Sequence, residues 1–322
     1  MNKTLFHVSV LPLFFMAQVL KLGEILQRDI VIALMGPTGA GKSTFIDVAT
    51  RQNGTTVGHG LTSCTSSIRS VKYTSETGQT VILVDTPGFD DTTKSDTEIL
   101  NLLAEWLKKT YRKHVRLTGI IYLHRITDNR MAGTSLKNLH MFGELCGCEA
   151  AHGVVLATTM WGRLKTPEVG QRRQEELMKT FWKPMIDNGS ETNQFRDSYE
   201  SAWDLISSVV RRGKQRAVLL QKEMVDLEKR LGETSAGVTL YDTLQKSLAE
   251  QKEILQGLRD QAAKQDNPEL ARHLETQYNK LQETINSTFE QMIKMKIPLT
   301  RRIILFFSFK SPRANGIPLW RR

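Results

Sequence analysis

A stretch of nine residues has the residue types and spacing of a phosphate-binding loop. GPTGAGKST, Gly36 to Thr44, directly follows the apolar run IVIALM. Glycines let backbone N–H groups turn toward a phosphate without a Cβ in the way, and the N-terminus of the next helix adds partial positive charge. Lys42 can then reach the β- and γ-phosphates, and the Ser43 hydroxyl can ligate Mg²⁺. The predicted nucleotide-binding residues here are Gly36, Pro37, Thr38, Gly39, Ala40, Gly41, Lys42, Ser43 and Thr44.

A second segment, VILVDTPGF, has an acidic residue where a strand ends. Asp85 closes a strongly apolar run, 43 residues after Lys42, and Gly88 follows shortly afterwards. An Asp at the carboxyl end of a neighbouring strand can hold Mg²⁺ through a water, and a Gly amide there can contact the γ-phosphate. We therefore predict that Asp85 binds nucleotide and metal, and that Gly88 binds nucleotide and acts in catalysis together with Lys42.

The polar segment GHGLTSCTSSI between the two motifs is suited to folding over a nucleotide. A threonine hydroxyl from such a loop can complete the shell of a metal ion, and Thr62 and Thr65 are both placed for this. We predict that Thr65, with Ser43 and Asp85, ligates the metal and contributes to catalysis.

Apolar runs alternating with helical patterns indicate the elements that position these residues. This alternation is typical of a mostly parallel sheet covered by helices. The predicted strands are 30–35, 67–73, 80–85, 119–124 and 153–159, and Gly78 with Gln79 predicts a hairpin and hence one antiparallel edge strand. Helices are predicted to begin near Lys42, Thr97 and Leu136, and to run from about Val169 to Ile186 and from about Ser198 to Val210, with Asp197 or Ser198 as the cap.

The composition changes beyond about Gly213 to Gln, Glu, Lys and Leu at heptad-like intervals. Two apolar stripes, 241–262 and 270–292, are separated by DNPE, which stops one helix and starts the next. The pattern predicts an α-helical hairpin or coiled coil. Such an arm can pack on itself or the globular domain, or it can serve oligomerisation.

Taken together, the motifs resemble the G domain of the septin-like and immune-associated GTPases of the TRAFAC class. The resemblance rests on GPTGAGKST, SCT, DTPGFDD and LHRITDNRM, covers about Ile30 to Val210, and is nearest to the G-domain-containing P-loop proteins of fungi. It implies a three-layer P-loop NTPase sandwich that binds GTP with Mg²⁺. It also implies that the nucleotide state controls assembly or membrane association.

Two positions depart from that family pattern. Guanine specificity in the class comes from [NT]-K-x-D after the fifth strand, but Thr159, Met160, Trp161 and Gly162 stand there. Trp161 is predicted to contact the base by stacking, which does not distinguish guanine from adenine; packing beneath a neighbouring loop is the alternative. Phe89 follows DTPG where some small GTPases have the glutamine that orients water, so slow intrinsic hydrolysis is expected.

Other groups near the phosphates are candidates for catalysis, each with a structural alternative. Asp90, Asp91 and His59 are polar residues in the flanking loops, where they can equally be solvated. Arg125 can supply charge in trans, although a local pair with Asp128 is the interpretation we favour.

Charge and cysteine content limit the partners and the compartment. The net charge of +10 falls mainly on the tails, with +6 after residue 296 and +2 before residue 29, so the core is nearly neutral and no nucleic-acid partner is expected. Three cysteines, Cys64, Cys146 and Cys148, indicate a reducing compartment, which we take to be the cytoplasm. The apolar N-terminal stretch 5–20 can be a packed or peripheral extension, a wrongly predicted gene start or a membrane anchor.

The sequence thus predicts four parts: an apolar extension (1–28), a P-loop G domain (29–212), a helical arm (213–296) and a basic tail (297–322). The predicted function is GTP binding and slow hydrolysis with Mg²⁺, as a switch or assembly factor that forms homo-oligomers or binds a protein through its arm. A membrane surface is a further possible contact of the tails. The alternatives are a catalytically weak nucleotide-binding scaffold and an ATPase of the same fold.

Overall fold

The structure is a computed structural model, and it describes residues 17–52, 67–91, 93–131, 133–212, 216–263 and 267–295. Several predictions concern residues outside these ranges. They include the metal ligand Thr65 with its alternative Thr62, the catalytic candidate His59, Cys64, most of the apolar extension and the basic tail.

Within the described residues, seven strands form one sheet of mixed sense. Along the sheet the order is β1-β3-β4-β2-β5-β6-β7, with β1/β3 and β3/β4 antiparallel and the other pairs parallel. The strands are β1 (Gln18–Leu20), β2 (Val31–Met35), β3 (Arg69–Thr74), β4 (Thr80–Asp85), β5 (Gly119–Arg125), β6 (Val154–Thr159) and β7 (Glu191–Gln194). The mostly parallel sheet is confirmed, and β3 is antiparallel to β4 as predicted, but β1 pairs with the other side of β3, so β3 is not the edge strand.

The centre of the sheet is apolar on both faces. All five residues of β2 and all six of β6 are buried, as expected for parallel strands covered on both sides by helices. The five predicted strands are present, and β1 and β7 are additions at the two edges. Gly78, at a φ of 79°, turns the chain between β3 and β4.

Helices cover both faces and form the outer layers of the sandwich. One face packs on α1 (Lys42–Thr50) and α6 (Tyr199–Arg211), and the other packs on α2 (Asp96–Arg112) and α3 (Thr134–Ala151). Ser95 and Ser198 cap α2 and α6, so Ser198 rather than Asp197 is the capping residue. Cys146 and Cys148 flank a kink at Gly147 in α3.

The long helix predicted over 169–186 is interrupted. It begins as α4 (Pro167–Glu176), continues as a π-helical turn (Leu177–Phe181) and restarts as α5 (Lys183–Asp187). Pro184 lies in the first turn of α5, where its missing N–H costs no helical hydrogen bond. Residues 171–183 contain neither Gly nor Pro, which explains why the sequence predicts one continuous helix.

A helical hairpin follows the sandwich. The short α7 (Leu219–Gln221) and the π-helical turn Lys222–Asp226 pack on the globular part and lead to α8 (Ser235–Ala263) and α9 (Pro268–Met295). Met292 and Met295 are buried, whereas Leu270 and Phe289 of the predicted stripe are exposed. The Thr97 hydroxyl of α2 donates to Gln291 Oε1 at 3.4 Å and so links α9 to α2. None of the described helices is long and apolar enough to cross a membrane.

Candidate functional site

The loop between β2 and α1 requires glycine at its first position. Gly36 has a φ of 140°, and a Cβ there would lie 2.3 Å from the Leu123 carbonyl oxygen of β5. No L-residue tolerates both the dihedral and that distance. The close contact lets the loop turn tightly over the carboxyl end of the sheet and bring α1 to the same edge.

Lys42, the first residue of α1, is buried beneath this loop. Its Nζ donates to the carbonyl oxygens of Gly36 at 3.0 Å and Pro37 at 2.9 Å. Burial lowers the pKa of Lys42 to about 8, although the Asp85 carboxylate acts in the opposite direction. A desolvated ammonium group enclosed by the loop is suited to binding phosphate oxygens, because an anion there would replace the lost hydration.

Ser43 and Asp85 lie together at the ends of α1 and β4. The Ser43 hydroxyl donates to Asp85 Oδ2 at 2.9 Å, and the Asp85 side chain is buried. A hydroxyl and a carboxylate are oxygen ligands of the kind that Mg²⁺ takes, and a nucleotide site needs few of them because phosphates and water complete the shell. The residues present therefore fit a magnesium ion held by Ser43 and Asp85.

The DTPGF segment packs directly on the phosphate-binding loop. The Thr38 N–H donates to the Phe89 carbonyl at 2.9 Å, and the Thr38 hydroxyl donates to the Gly88 carbonyl at 3.2 Å. A Cβ at Gly88 would lie 2.5 Å from the Thr38 nitrogen and 2.7 Å from Lys42 Nζ. Gly88 thus lies beside Lys42 Nζ, and its contact with a γ-phosphate stays a prediction.

Phe89 lies in the core, with 5% of its surface exposed. The Phe89 side chain therefore packs beneath the site and does not face it. Of the neighbouring candidate acids, Asp91 has a structural partner, because its carboxylate accepts from the Thr93 N–H and hydroxyl. The backbone N–H of Asp90 donates to Asp96 Oδ1.

The end of β6 is hydrogen-bonded to the phosphate-binding loop. The buried Thr159 hydroxyl donates to the Ala40 carbonyl at 3.0 Å. Trp161 donates through Nε1 to the Thr158 hydroxyl and packs against Gly170 of α4, where a Cβ would lie 2.6 Å from the ring. The Arg196 guanidinium carbon is 5.6 Å from the Trp161 ring centroid. Trp161 is therefore at the sheet edge predicted for a base, but α4 and Arg196 already contact its ring.

Arg125 pairs with Asp128 at the end of β5, as the favoured interpretation predicts. The Arg125 Nε is 3.0 Å from Asp128 Oδ1, and Nη2 donates to Oδ2 at 3.3 Å. The adjacent His124 is buried edge-on to Trp182, and burial lowers its pKa to about 4 despite the Asp128 charge. These residues line a cavity of about 230 Å³ beside α4.

Two threonines that support the site were not predicted. The Thr86 hydroxyl donates to the Leu34 carbonyl at 2.6 Å and joins the end of β4 to β2, as Thr159 joins β6 to the loop. Both are buried hydroxyls at the carboxyl ends of apolar strands. That position is a usable sequence signal, because a polar group buried there needs a hydrogen-bond partner.

One family model matches the chain. It describes the 50S ribosome-binding GTPases and covers residues 31–144, which include the phosphate-binding loop, Asp85 and Gly88. Residues 31–144 have a P-loop GTPase fold. The match covers about a third of the chain and ends in α3.

Solved structures with similar folds are remote in sequence. Toc33 from Arabidopsis thaliana, in complex with Mg²⁺ and GMPPNP, is 16% identical with a TM-score of 0.46, over 58% of this chain and 86% of Toc33. Era from Aquifex aeolicus, bound to GDP·AlF4⁻, is 13% identical with a TM-score of 0.40, over 58% of this chain and 57% of Era. A search of curated proteins gave no match.

Proposed function

We propose that this protein binds GTP with Mg²⁺, hydrolyses it slowly and acts as a nucleotide-controlled switch or assembly factor. The observation that carries the proposal is the convergence of Lys42, Ser43, Asp85 and Gly88 within one buried cradle. The match of the GTPase family model to the same segment supports it.

Each residue of the site has a separate role in phosphoryl transfer. The Lys42 ammonium group binds β- and γ-phosphate oxygens and stabilises the charge that develops on them. Ser43 and Asp85 hold Mg²⁺, which when bound neutralises phosphate charge, and Thr65 is the proposed third protein ligand. The Gly88 amide lies next to Lys42 and positions the γ-phosphate side of the nucleotide.

Slow hydrolysis is expected because Phe89 follows Gly88. Phe89 is apolar and buried, so it cannot orient an attacking water. We expect turnover to need a group from outside the described site, such as a residue contributed by a second copy or a partner. Single-turnover hydrolysis at two protein concentrations tests this, because dimer-activated turnover rises with concentration whereas intramolecular turnover does not.

The first experiment is a titration of GTP and ATP, each with Mg²⁺, against the wild type, Lys42→Ala and Lys179→Ala. Lys179 is an exposed lysine of the π-helical turn and serves as the matched control. We expect GTP binding that Lys42→Ala weakens at least about a hundredfold and that Lys179→Ala leaves unchanged. Equal GTP and ATP affinities would indicate a general NTPase, and no binding by the wild type would overturn the proposal.

We also propose that the hairpin α8–α9 mediates association with a second copy or a protein partner. Phe289 and Ile293 lie four residues apart on α9 and are each 54% exposed, which gives α9 an apolar surface close to the globular part. Replacing both by Ser should lower the molar mass measured by light scattering if they form the interface. Glu290→Ser, on the same exposed turn, is the control.

Further parts of the proposal rest on the sequence motifs. We place the protein in the cytoplasm and in the septin-like and immune-associated branch, near the fungal G-domain proteins, on the residues quoted above. We keep the four-part division at residues 28, 212 and 296. The basic tail is a possible contact with acidic membranes, and co-sedimentation with acidic vesicles, with and without residues 297–322, tests it.

A further inference from the structure

The loop after β6 lacks a carboxylate where this class reads guanine. Gly162 takes the position of the expected Asp, and a Cβ there would meet nothing within 4 Å. Met160, in the same loop, has a left-handed φ of 63°. A protein that selects guanine therefore needs an acceptor from another element at this edge of the sheet.

Strand pairing brings the loop after β7 to that place. Thr158 pairs with Gln194, and the Phe195 N–H donates to the Thr158 carbonyl at 2.8 Å. The Phe195 ring packs 5.0 Å from that of Phe45 in α1, the helix that begins at the phosphate-binding loop. The next two residues, Arg196 and Asp197, thus follow β7 at the carboxyl edge of the sheet, and the Arg196 guanidinium lies over Trp161.

The Asp197 carboxylate is partly buried and lies near one positive charge. Burial raises the pKa of this carboxyl, and Arg163, in the turn after β6, acts in the opposite direction. Ser198, and not Asp197, caps α6. Its backbone is left-handed, with a φ of 54°, a conformation that Asp and Asn tolerate better than most residues. By contrast, Asp128 at the end of β5 is paired with Arg125.

We propose that Asp197 recognises the guanine base, with Arg196 beside it. Guanine presents the donors N1–H and 2-amino on one edge and the acceptors O6 and N7 on another. A carboxylate matches the first edge and a guanidinium matches the second, whereas adenine has an amino donor where guanine has O6. The inference rests on the proposed function and names the residue that gives it nucleotide specificity.

Two contacts hold the Arg196 guanidinium in a fixed orientation. Its guanidinium lies over Trp161, and its Nε and Nη2 donate to Gln194 Oε1 at 3.1 and 2.7 Å. The ring and the amide fix the plane of the guanidinium, which lowers the entropy lost on binding a base. Trp161 is then a positioning residue for Arg196.

The test compares GTP, XTP and ATP binding, each with Mg²⁺, by titration calorimetry of the wild type, Asp197→Asn and Asp204→Asn. Xanthine has a C2 oxygen where guanine has the amino group, so an Asn amide donor suits it. We expect Asp197→Asn to weaken GTP at least about tenfold and to strengthen XTP, which inverts or sharply reduces the preference for GTP. Asp204, exposed on α6, is the charge-matched control and should change neither affinity.

The two levels of the proposal can fail separately. An unchanged GTP-to-XTP ratio in Asp197→Asn, with Lys42-dependent GTP binding intact, would overturn the role of Asp197 and leave the proposed function standing. Absence of nucleotide binding in the wild type would overturn both. Asn suits the left-handed backbone, and thermal unfolding of each variant checks the fold. Asp197→Glu, which keeps the charge, should retain part of the preference for GTP over XTP.

Discussion

Lys42 is a buried cation, and its loss of a proton changes the free energy of unfolding. Its pKa is lowered from 10.5 to about 8 by burial. Between these values the unfolded chain binds more protons than the folded protein, so the contribution of Lys42 to stability rises with pH. Below pH 8 the folded protein retains the charge and its desolvation cost.

Replacing Lys42 by Met removes this pH dependence. In the nucleotide-free protein, the wild type should gain stability relative to Lys42→Met by up to about 1.4 kcal/mol per pH unit between pH 8 and 10.5. Urea unfolding at pH 7, 9 and 10 measures the difference, and Lys179→Met is the exposed control. Parallel pH profiles for the wild type and Lys42→Met would contradict a lowered pKa.

Gly88 is predicted to tolerate no side chain. A Cβ would collide with the Thr38 nitrogen and with Lys42 Nζ, so Gly88→Ala must separate DTPGF from the phosphate-binding loop. We expect a loss of about 1–3 kcal/mol in the free energy of unfolding and weaker GTP binding. Gly162→Ala, where a Cβ has open space, should change stability by less than about 0.5 kcal/mol. Similar urea midpoints for the two variants would argue against the close contact.

At the scale of elements, β6 and the phosphate-binding loop are joined by one hydroxyl. Thr159→Val keeps the shape of the side chain but leaves the Ala40 carbonyl without its donor. We expect a loss of about 1–3 kcal/mol in unfolding free energy and a lower affinity for GTP. Thr192→Val on the edge strand β7 should cost less than about 0.5 kcal/mol. If Thr159→Val bound GTP as well as the wild type does, the loop would not depend on β6.

The sequence predicts the strands that have a recognisable pattern of apolar residues. It does not predict β1 and β7, which are strands because they pair with a neighbouring strand. Four of the five predicted strands are apolar runs and β3 mixes polar and apolar residues, whereas β7 is the polar sequence ETNQ, whose backbone is a strand because it pairs with β6. Three residues of β1 add to the edge by pairing with β3. The π-helical turn after α4 has the sequence LMKTF, which contains neither Gly nor Pro, so sequence alone does not reveal it.

The candidate site divides in the same way. Spacing along the chain was enough to bring Lys42, Ser43 and Asp85 together, because the ends of parallel strands meet at one edge. The burial of Phe89 and the position of Asp197 depend on how loops pack, which no short pattern records. For that reason the motifs predict the phosphate site, whereas the proposal for the base depends on the structure.

At the scale of the whole molecule, the hairpin is predicted to unfold together with the sheet. Met292 and Met295 of α9 and Leu240 of α8 are buried, so the base of the hairpin shares the core. Tryptophans occur at 106, 161, 182, 203 and 320, none of them in the hairpin. Tryptophan fluorescence and far-ultraviolet circular dichroism should therefore give coincident urea transitions. A separate dichroism transition without a fluorescence change would mean that the hairpin unfolds independently.

The contact between α9 and α2 has a mechanical consequence. Asp96, at the start of α2, accepts from the Asp90 N–H just after DTPGF, and the next residue, Thr97, donates to Gln291. The base of the hairpin is thus connected, through the start of α2, to the segment that follows DTPGF. Since α8 spans 29 residues, the arm is about 43 Å long, and a tilt of about 5° at its base carries its tip about 4 Å. If the proposed nucleotide site shifts α2 on hydrolysis, we expect the hairpin to enlarge that shift at its tip.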